Sequence, residues 1–351
     1  MPLLARMLAS PLFVDIRPGA VADLAGLLNR RNISTDGRVL VAVGRGQGEQ
    51  IWAHLQADLP QADRFVVGGA NLAAAGELQA ALGAHGYDAV VAIGGGKTLD
   101  VAKYAATRAA LPMVAVATSL AHDGLCSPVA SLEHPHGKGS FGVAMPIGVV
   151  VDLDLVRTAP PILVRGGIGD VVSNLSAIED WRLAERERGE IVDGLAMAFA
   201  RNAAEAILHR DDRIENDDFV VTLAESLVLS GMAMAVAGTS RPCSGADHEI
   251  IHAIDSLYPQ TAGHGELAGL GALFSYHLRD NDDMFDLLAR RLSQHDLPRT
   301  PADLGLTDEQ FVSAVREAPA TRPDRYTILE HLDLDEAAIR DRVKGFVERL
   351  T

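Results

Sequence analysis

The sequence predicts an α/β domain followed by an all-helical domain, and three observations support this prediction. The chain has 351 residues, which is enough for two domains of roughly 150 residues each. Up to about residue 155, short β-branched runs alternate with helical stretches. Beyond Leu155 such runs almost vanish, and long segments rich in Ala, Leu, Glu and Arg dominate. We therefore predict domains over residues 1–157 and 158–351, with Ala159-Pro160-Pro161 near the junction.

Composition narrows the class of protein. Hydrophobic residues make up 48% of the chain and charged residues 22%, which is typical of a globular protein. A net charge of −16 argues against nucleic acid or an anionic membrane as a general partner, because either would require a basic face. A small anionic substrate remains possible, since a few local cations can serve a pocket. The two cysteines, Cys126 and Cys243, are too few for a disulfide framework and predict a reducing, cytoplasmic location.

The sequence predicts that the protein does not insert into a membrane. We find no apolar run close to the roughly 20 residues that a spanning helix needs, and the richest stretch, residues 227–236, predicts a buried helix. The apolar N-terminus, residues 1–14, is interrupted by Arg6 and Pro11. We interpret it as a first strand or helix rather than a signal peptide.

Four apolar runs predict the strands of the first domain. Each ends at Gly or Ser/Thr residues, and together they cover residues 38–43, 64–67, 89–93 and 113–117. Continuous apolar strands separated by helices indicate a parallel sheet covered on both faces. Ligands bind such sheets at the carboxyl ends of the strands, where these Gly and Ser/Thr residues lie. In the second domain we predict helices over residues 169–188, 191–209, 218–237, 248–257, 265–278 and 335–350.

A glycine-rich turn follows the third strand. Gly94-Gly95-Gly96-Lys97-Thr98 opens a helix, and its glycines would let a pyrophosphate approach the helix N-terminus. It is not a Walker A loop, because Val91 stands where that motif needs Gly, and it lacks the G-x-G-x-x-G spacing. From the residues alone, a dinucleotide site and a tight strand-to-helix turn both remain open.

A second polar loop follows the fourth strand, from Thr118 to Pro128. It contains Thr118-Ser119-Leu120-Ala121-His122-Asp123-Gly124 and Ser127. Polar and turn-forming residues just past an apolar strand indicate either a binding loop or a capped turn.

The second domain contains a possible metal site. Asp170 follows Gly166-Gly167-Ile168-Gly169, which we interpret as a glycine hinge leading into a helix. His248 and His252 are four residues apart and would share a helix face, and His264 would begin the next helix. One carboxylate with two or three imidazoles suits zinc or iron with an open position. Spacing alone makes His252 as good a ligand candidate as His248, and packed core histidines are the alternative.

Together these motifs resemble the sn-glycerol-1-phosphate dehydrogenase family, within the superfamily of iron-containing alcohol dehydrogenases and dehydroquinate synthases. The matching segments span roughly residues 90–270. They are Gly94-Gly95-Gly96-Lys97, Ser119-Leu120-Ala121-His122-Asp123-Gly124 with Ser127-Pro128, Gly169-Asp170-Val171-Val172-Ser173-Asn174, Ser240-Arg241-Pro242-Cys243-Ser244-Gly245 leading to His248, and His264-Gly265-Glu266.

The resemblance implies a dehydroquinate synthase-like fold, in which a Rossmann-like nucleotide-binding domain precedes an all-helical domain and the active site lies in the cleft between them. It implies a catalytic Zn²⁺, with Fe²⁺ or Ni²⁺ as alternatives, held by Asp170, His248 and His264. His252 would then contact substrate rather than metal, and Asp123 would bind the substrate's hydroxyl groups. The residues expected to bind NAD(H) or NADP(H) are Gly94, Gly95, Gly96, Lys97, Thr98, Thr118, Ser119, Leu120, Ala121 and Ser127.

The activity implied is a metal-dependent, NAD(P)H-linked interconversion of dihydroxyacetone phosphate and sn-glycerol 1-phosphate, carried out by a homo-oligomer. The alternatives are a reductase of another small phosphorylated or phosphonate ketone or aldehyde, and a dehydroquinate synthase-like cyclase. Asp170 argues against the cyclase, because the dehydroquinate synthases that the chain resembles have Glu at that position. Asn174 stands where the similar iron alcohol dehydrogenases have His. Leu267 departs from the family, where Gln is commoner at that position.

Two arginines raise further expectations. Gly44-Arg45 follows Val43 with no carboxylate before Glu49, which favours NADP over NAD, because an acidic residue there would bind the ribose of NAD. Arg241 precedes the metal helix and could contribute to binding a substrate phosphate or form a structural ion pair.

Overall fold

The computed structural model describes residues 9–135 and 137–351. Most of the element expected over residues 1–14 lies outside the described residues, as does His136. The chain divides into two compact units, the first ending at Pro160 and the second beginning at Pro161.

The first unit is built on a six-stranded parallel sheet with the strand order β1-β8-β5-β4-β2-β3. Every residue of the strands β2, β4, β5 and β8 is buried, which explains their continuous apolar sequences. An antiparallel hairpin, β6 and β7, stands apart from the sheet. The strands are β1 Phe13–Arg17, β2 Val39–Val43, β3 Asp63–Val66, β4 Ala89–Gly94, β5 Met113–Ala117, β6 Val129–His134, β7 Gly137–Gly142 and β8 Gly148–Asp152.

The order in which strands join the sheet reverses between β2 and β4. Strand β3, which follows β2, lies on one side of β2, whereas β4 and then β5 lie on the other side. The carboxyl ends of β2 and β4 are therefore a topological switch point, where open α/β sheets bind their ligands. The helices of this unit are α1 Leu24–Arg30, α2 Gln47–Leu55, α3 Leu72–Ala84, α4 Gly96–Arg108 and α5 Leu153–Thr158. The predicted parallel sheet with covering helices is confirmed.

The second unit is helical throughout its regular structure, as predicted. Its helices are α6 Pro161–Arg188, α7 Gly194–Leu208, α8 Asp217–Ala237, α9 Ala246–Leu257, α10 His264–Leu278, α11 Asp282–Gln294, α12 Asp308–Glu317, α13 Ile328–Leu332 and α14 Glu336–Leu350. The sequence did not predict α11, α12 or α13.

The predicted glycine hinge before Asp170 is wrong. Gly166, Gly167 and Gly169 lie inside α6, which runs unbroken for 28 residues. Glycine weakens an isolated helix, but here Gly166 and Gly169 lie where α6 crosses another helix at backbone contact. Close packing therefore offsets the low helical propensity of this stretch.

The helix α8 corrects the expectation that no apolar segment is long enough to span a membrane. Its 21 residues are long and apolar enough to cross a membrane by length and composition, and α8 is the one such helix in the described part of the chain. However, 67% of its most apolar window is buried within the protein, which is typical of a core helix. Ser230 of α8 also accepts a hydrogen bond of 3.2 Å from Asn174 of α6.

Candidate functional site

Glycines bring three helices of the second unit into backbone contact. A Cβ atom on Gly169 of α6 would overlap the carbonyl oxygen of Gly265 of α10, and one on Gly265 would overlap that of Gly166. A Cβ atom on Gly271 would lie 2.8 Å from the carbonyl oxygen of Asp247 on α9. No larger residue fits at these positions without moving a backbone, so the glycines set the spacing of α6, α9 and α10.

This packing assembles the three side chains predicted to bind metal. Asp170 on α6, His248 on α9 and His264 at the start of α10 each offer a ligand atom, and these atoms lie within 4.8 Å of one another. His264 Nε2 is 3.4 Å from Asp170 Oδ1. Two ligand atoms bound to one zinc at 2.0–2.1 Å are roughly 3.3 Å apart in a tetrahedral site. The donor set and its spacing therefore fit a single divalent ion.

A carboxylate behind His248 fixes which ring nitrogen it can offer. Asp247 Oδ2 lies 2.8 Å from His248 Nδ1, and Asp247 Oδ1 accepts a 2.8 Å hydrogen bond from the Gly245 amide. Asp247 is fully buried. An imidazole that donates from Nδ1 to a carboxylate leaves Nε2 as the lone-pair donor for a metal. Sequence reasoning missed this role of Asp247, although a carboxylate directly before a candidate ligand is a usable signal.

His252 lies one helical turn beyond His248 and has a different partner. Its Nε2 is 3.0 Å from Nη2 of Arg322, a residue that sequence reasoning did not single out. A guanidinium can only donate hydrogen bonds. His252 Nε2 therefore accepts this one, which leaves the ring's proton on Nδ1. In the described part of the chain, the cluster of potential ligands comprises Asp170, His248 and His264, without His252.

Two further arginines serve the backbone around α9. Arg241 forms a two-pronged ion pair with Glu190, at 2.8 and 2.7 Å. Of the two roles expected for Arg241, phosphate binding or a structural ion pair, the structure therefore shows the ion pair. Arg325 donates to Ser240 Oγ at 2.6 Å, to Ser244 Oγ at 2.8 Å and to the Ser244 carbonyl oxygen. Burial, with Arg322 and Arg241 nearby, lowers the pKa of Arg325 to about 10. These contacts fix the loop that leads into α9.

The nucleotide-binding candidates of the first unit lie at the carboxyl ends of adjacent strands. Gly94 ends β4, Gly95 precedes α4, and Gly96, Lys97 and Thr98 form its first turn. The segment Thr118-Ser119-Leu120-Ala121 follows β5, and the Thr118 amide donates to the Gly94 carbonyl oxygen at 3.1 Å. The structure thus brings the two predicted loops together.

Thr98 marks the switch point of the sheet. A Cβ atom on Gly44, after β2, would lie 2.8 Å from Thr98 Oγ1, and one on Gly94, after β4, would lie 2.7 Å from it. Thr98 is buried, whereas Lys97 is exposed at the start of α4. The glycine turn is therefore closely packed against the side chain of Thr98 at Gly94, whereas Lys97 in the first turn of α4 is exposed to solvent.

A buried lysine organises the second loop, and sequence reasoning missed it. Lys103 on α4 is fully buried and pairs with Asp100 at 2.9 Å. It donates to the carbonyl oxygens of Gly124, at 2.8 Å, and Val129. These contacts hold both ends of the segment that contains Ser127. The i, i+3 spacing of Asp100 and Lys103 behind the glycine turn was the available signal.

His122, in the middle of this loop, contacts the two glycines Gly124 and Gly96. Its Nδ1 accepts a 3.0 Å hydrogen bond from the Gly124 amide, and its ring covers Gly96 at the start of α4. Asp123, the predicted substrate-binding residue, begins a short 3₁₀ turn and is partly buried. Cys126 is buried, and burial raises the pKa of its thiol to about 12. A thiol of that pKa is unreactive at neutral pH.

Comparison with known proteins identifies the family. Over 330 residues the chain is 34% identical to a protein of Methanothermobacter thermautotrophicus named glycerol-1-phosphate dehydrogenase (NAD(P)+), covering 92% of this chain and 93% of that protein. The chain belongs to the glycerol-1-phosphate dehydrogenase family. The family resemblance predicted from the motifs is thereby confirmed.

Other comparisons agree with this glycerol-1-phosphate dehydrogenase family assignment. The protein of that name from Thermofilum pendens is 40% identical over 252 residues, which is 71% of this chain and 72% of that protein. A family model described as iron-containing alcohol dehydrogenase matches residues 15–160. The crystal structure of a probable glycerol dehydrogenase from Sinorhizobium meliloti 1021 has the same fold, with a TM-score of 0.79, 23% identity and 99% of both chains covered.

Proposed function

We propose that this protein is a metal-dependent, NAD(P)H-linked oxidoreductase that interconverts dihydroxyacetone phosphate and sn-glycerol 1-phosphate. The observation that carries the proposal is the meeting of Asp170, His248 and His264 in a chain of this family. We further propose that it acts in the cytoplasm as a homo-oligomer.

The metal centre would be formed by Asp170, His248 and His264, with zinc as the proposed ion and iron or nickel as alternatives. A bound divalent ion supplies Lewis acidity, which polarises a substrate carbonyl and stabilises negative charge on its oxygen. Asp247 keeps His248 Nε2 available as a ligand through its contact with Nδ1.

The protein's own residues would orient the substrate and move its proton. His252, whose Nε2 accepts from Arg322, would position the substrate or relay its proton. Asp123 would accept a hydrogen bond from a substrate hydroxyl. A bound reduced nicotinamide would supply the hydride for the carbonyl carbon, and one proton added to the oxygen would balance the reduction.

The dinucleotide would be held by the two loops of the first unit. The pyrophosphate would meet the N-terminus of α4, at Gly94 to Thr98, where backbone N–H groups favour an anion. Thr118, Ser119, Leu120, Ala121 and Ser127 would complete the site. Arg45 is exposed directly after β2, which supports a preference for the additional phosphate of NADP.

A substrate panel tests the activity. We expect the metal-loaded enzyme to oxidise NAD(P)H with dihydroxyacetone phosphate at a kcat/KM at least about 100-fold above that for dihydroxyacetone. Comparable rates on the two ketones would contradict phosphate recognition. Turnover of only another phosphorylated or phosphonate carbonyl, or product formation without net cofactor oxidation, would contradict the proposed reaction.

The cofactor preference has its own test. We expect wild-type enzyme to favour NADPH in kcat/KM and Arg45→Ala to lose that preference, whereas Arg108→Ala, a change at another exposed arginine, keeps it. An unchanged preference in Arg45→Ala would show that Arg45 does not select the cofactor.

A further inference from the structure

A fully buried aspartate joins the three helices that carry the metal-ligand candidates. Asp180 lies on α6, the helix of Asp170, and has no exposed surface. Its Oδ2 accepts a 2.8 Å hydrogen bond from the amide of Ala246, the first residue of α9. Its Oδ1 accepts from Arg279, directly after α10, and from the Ile328 amide at the start of α13, at 2.8 Å. One carboxylate thus connects α6 with α9, α10 and α13.

The contact with α9 is made at its first residue, close in sequence to His248. A Cβ atom on Gly245 would overlap Asp180 Oδ2, so a larger residue would push the start of α9 away from α6. Two carboxylates divide the amides at this point, because Asp247 Oδ1 accepts from Gly245 and Asp180 Oδ2 accepts from Ala246. Negative charge is favoured at a helix N-terminus. The start of α9 is therefore fixed on α6 by contacts that do not involve the metal-ligand atoms.

The two oxygens of Asp180 have separate tasks. Oδ2 holds the backbone of α9, whereas Oδ1 faces the guanidinium of Arg279 and the amide of Ile328. All three partners are N–H donors, and an ionised carboxylate is a side chain that only accepts hydrogen bonds. The guanidinium supplies the charge that a buried carboxylate needs. Loss of Arg279 should therefore lower stability but leave the acceptor for Ala246 in place.

We propose that Asp180 is a positioning residue of the metal centre, which fixes the start of α9 through the Ala246 amide and thereby places His248 relative to Asp170. This inference rests on the proposed function, because it concerns how the same metal centre is assembled.

The first experiment measures amide hydrogen exchange in the full-length wild-type protein, with and without Zn²⁺. The first amides of a helix have no partner within the helix, so protection of Ala246 reports its bond to Asp180. We expect Ala246 to be protected to the same extent in both samples, and to exchange faster in Asp180→Asn but not in Arg279→Gln. Protection of Ala246 that appears only with Zn²⁺, or that persists in Asp180→Asn, would overturn the inference.

The second experiment measures metal affinity by competition with a chelator. We expect Asp180→Asn to bind Zn²⁺ about 10- to 100-fold more weakly, as when a group that orients a metal ligand is lost. The visible absorption of bound Co²⁺, which reports ligand geometry, should change with it. Arg279→Gln is the matched control, because it removes the cation and keeps the carboxylate. Its affinity should stay within about threefold of wild type despite a lower Tm.

A second control separates affinity from stability in general. Phe219→Leu removes buried volume on α8, where the ring packs against His295, and should lower Tm without lowering metal affinity. Affinity losses in either control as large as that in Asp180→Asn would overturn the inference. If Asp180→Asn does not fold, hydrogen exchange in the wild-type protein still decides. If the wild-type protein binds no divalent ion, the proposed function fails, whereas exchange at Ala246 still shows whether Asp180 fixes the start of α9.

Discussion

Gly169 of α6 and Gly265 of α10 pack backbone against backbone, so that a side chain on Gly169 would overlap the carbonyl oxygen of Gly265. The neighbours of these glycines in the sequence are the metal-ligand candidates Asp170 and His264, whose ligand atoms are 3.4 Å apart. The close crossing of α6 and α10 at these glycines thus sets the distance between the two ligand atoms.

We expect Gly169→Ala to separate α6 from α10 and impair both stability and metal binding. Overpacking of this kind costs about 1–3 kcal/mol in free energy of unfolding, and metal content should fall with it. Gly76→Ala is the matched control, because Gly76 lies within α3 with open space around its Cα. That change should be neutral or slightly stabilising. Full stability and metal content in Gly169→Ala would contradict the account of the crossing.

Two histidine variants should separate metal binding from catalysis. His264→Ala should retain roughly a tenth or less of the wild-type metal, because it removes one of three ligand candidates. His252→Ala should keep its metal while losing rate or substrate affinity. Elemental analysis of both purified proteins, beside steady-state kinetics, provides the comparison. Full metal occupancy in His264→Ala, or a metal-free His252→Ala, would show that the ligand set is misassigned.

Asp247→Asn should weaken metal binding without removing a ligand. Asp247 accepts from the Gly245 amide and from His248 Nδ1 through different oxygens, whereas Asn has one acceptor oxygen and would turn an NH2 donor toward one of these groups. We expect metal affinity to fall by about 10- to 100-fold, measured by competition with a chelator. Asp283→Asn, at an exposed position of α11, should leave the affinity unchanged. Equal affinities in the two variants would mean that Asp247 does not support His248.

Lys103→Met should destabilise the first unit, because it leaves Asp100 buried without its cation. Breaking a buried pair from one side costs about 3–5 kcal/mol, and the KM for the cofactor should rise as the loop around Ser127 loosens. In the double variant Lys103→Met with Asp100→Asn, part of the stability should return, since no charge is then buried alone. A double variant no more stable than Lys103→Met would contradict this interpretation.

Stability should also depend on His295, which is buried at the end of α11 against Phe219. Burial, with Arg291 and Arg213 nearby, lowers its pKa to about 4. An unfolded histidine titrates near 6.5, so the unfolded chain binds the extra proton between these two pH values and stability falls as pH drops through them. From pH 7 to pH 5 this group alone should cost about 2 kcal/mol. Denaturant unfolding of His295→Leu should show a pH dependence smaller by that amount, and an equal dependence would contradict the assignment.

The sequence predicted features whose physical causes are local. Strands β4 and β5 were evident because a strand buried on both faces is a continuous apolar run. Strand β8 is equally buried, but it was not among the four strands predicted from the sequence. The hairpin β6–β7 carries too few β-branched residues to be recognised.

Features that depend on distant contacts could not be predicted in this way. Arg322 and His252 are 70 residues apart in the sequence, and Lys103 meets backbone oxygens 21 and 26 residues further along. The sequence predicted a hinge at the glycines of α6, because the sequence around them does not reveal that α10 packs against them. The candidate metal ligands Asp170, His248 and His264 were proposed from residue types and spacing, whereas only the family resemblance set His252 apart from them.

The strand order of the first unit has a consequence for how the chain folds. Among the strands that the structure describes, β1, at residues 13–17, pairs with β8 alone, so that Phe13 faces Gly148 across a long separation in sequence. During synthesis the first strand must wait until the last one has left the ribosome, and closing so long a loop slows its pairing. The central strands β2, β4 and β5 pair with one another without it. We therefore expect β1, although it is made before β8, to be among the last strands to join the sheet.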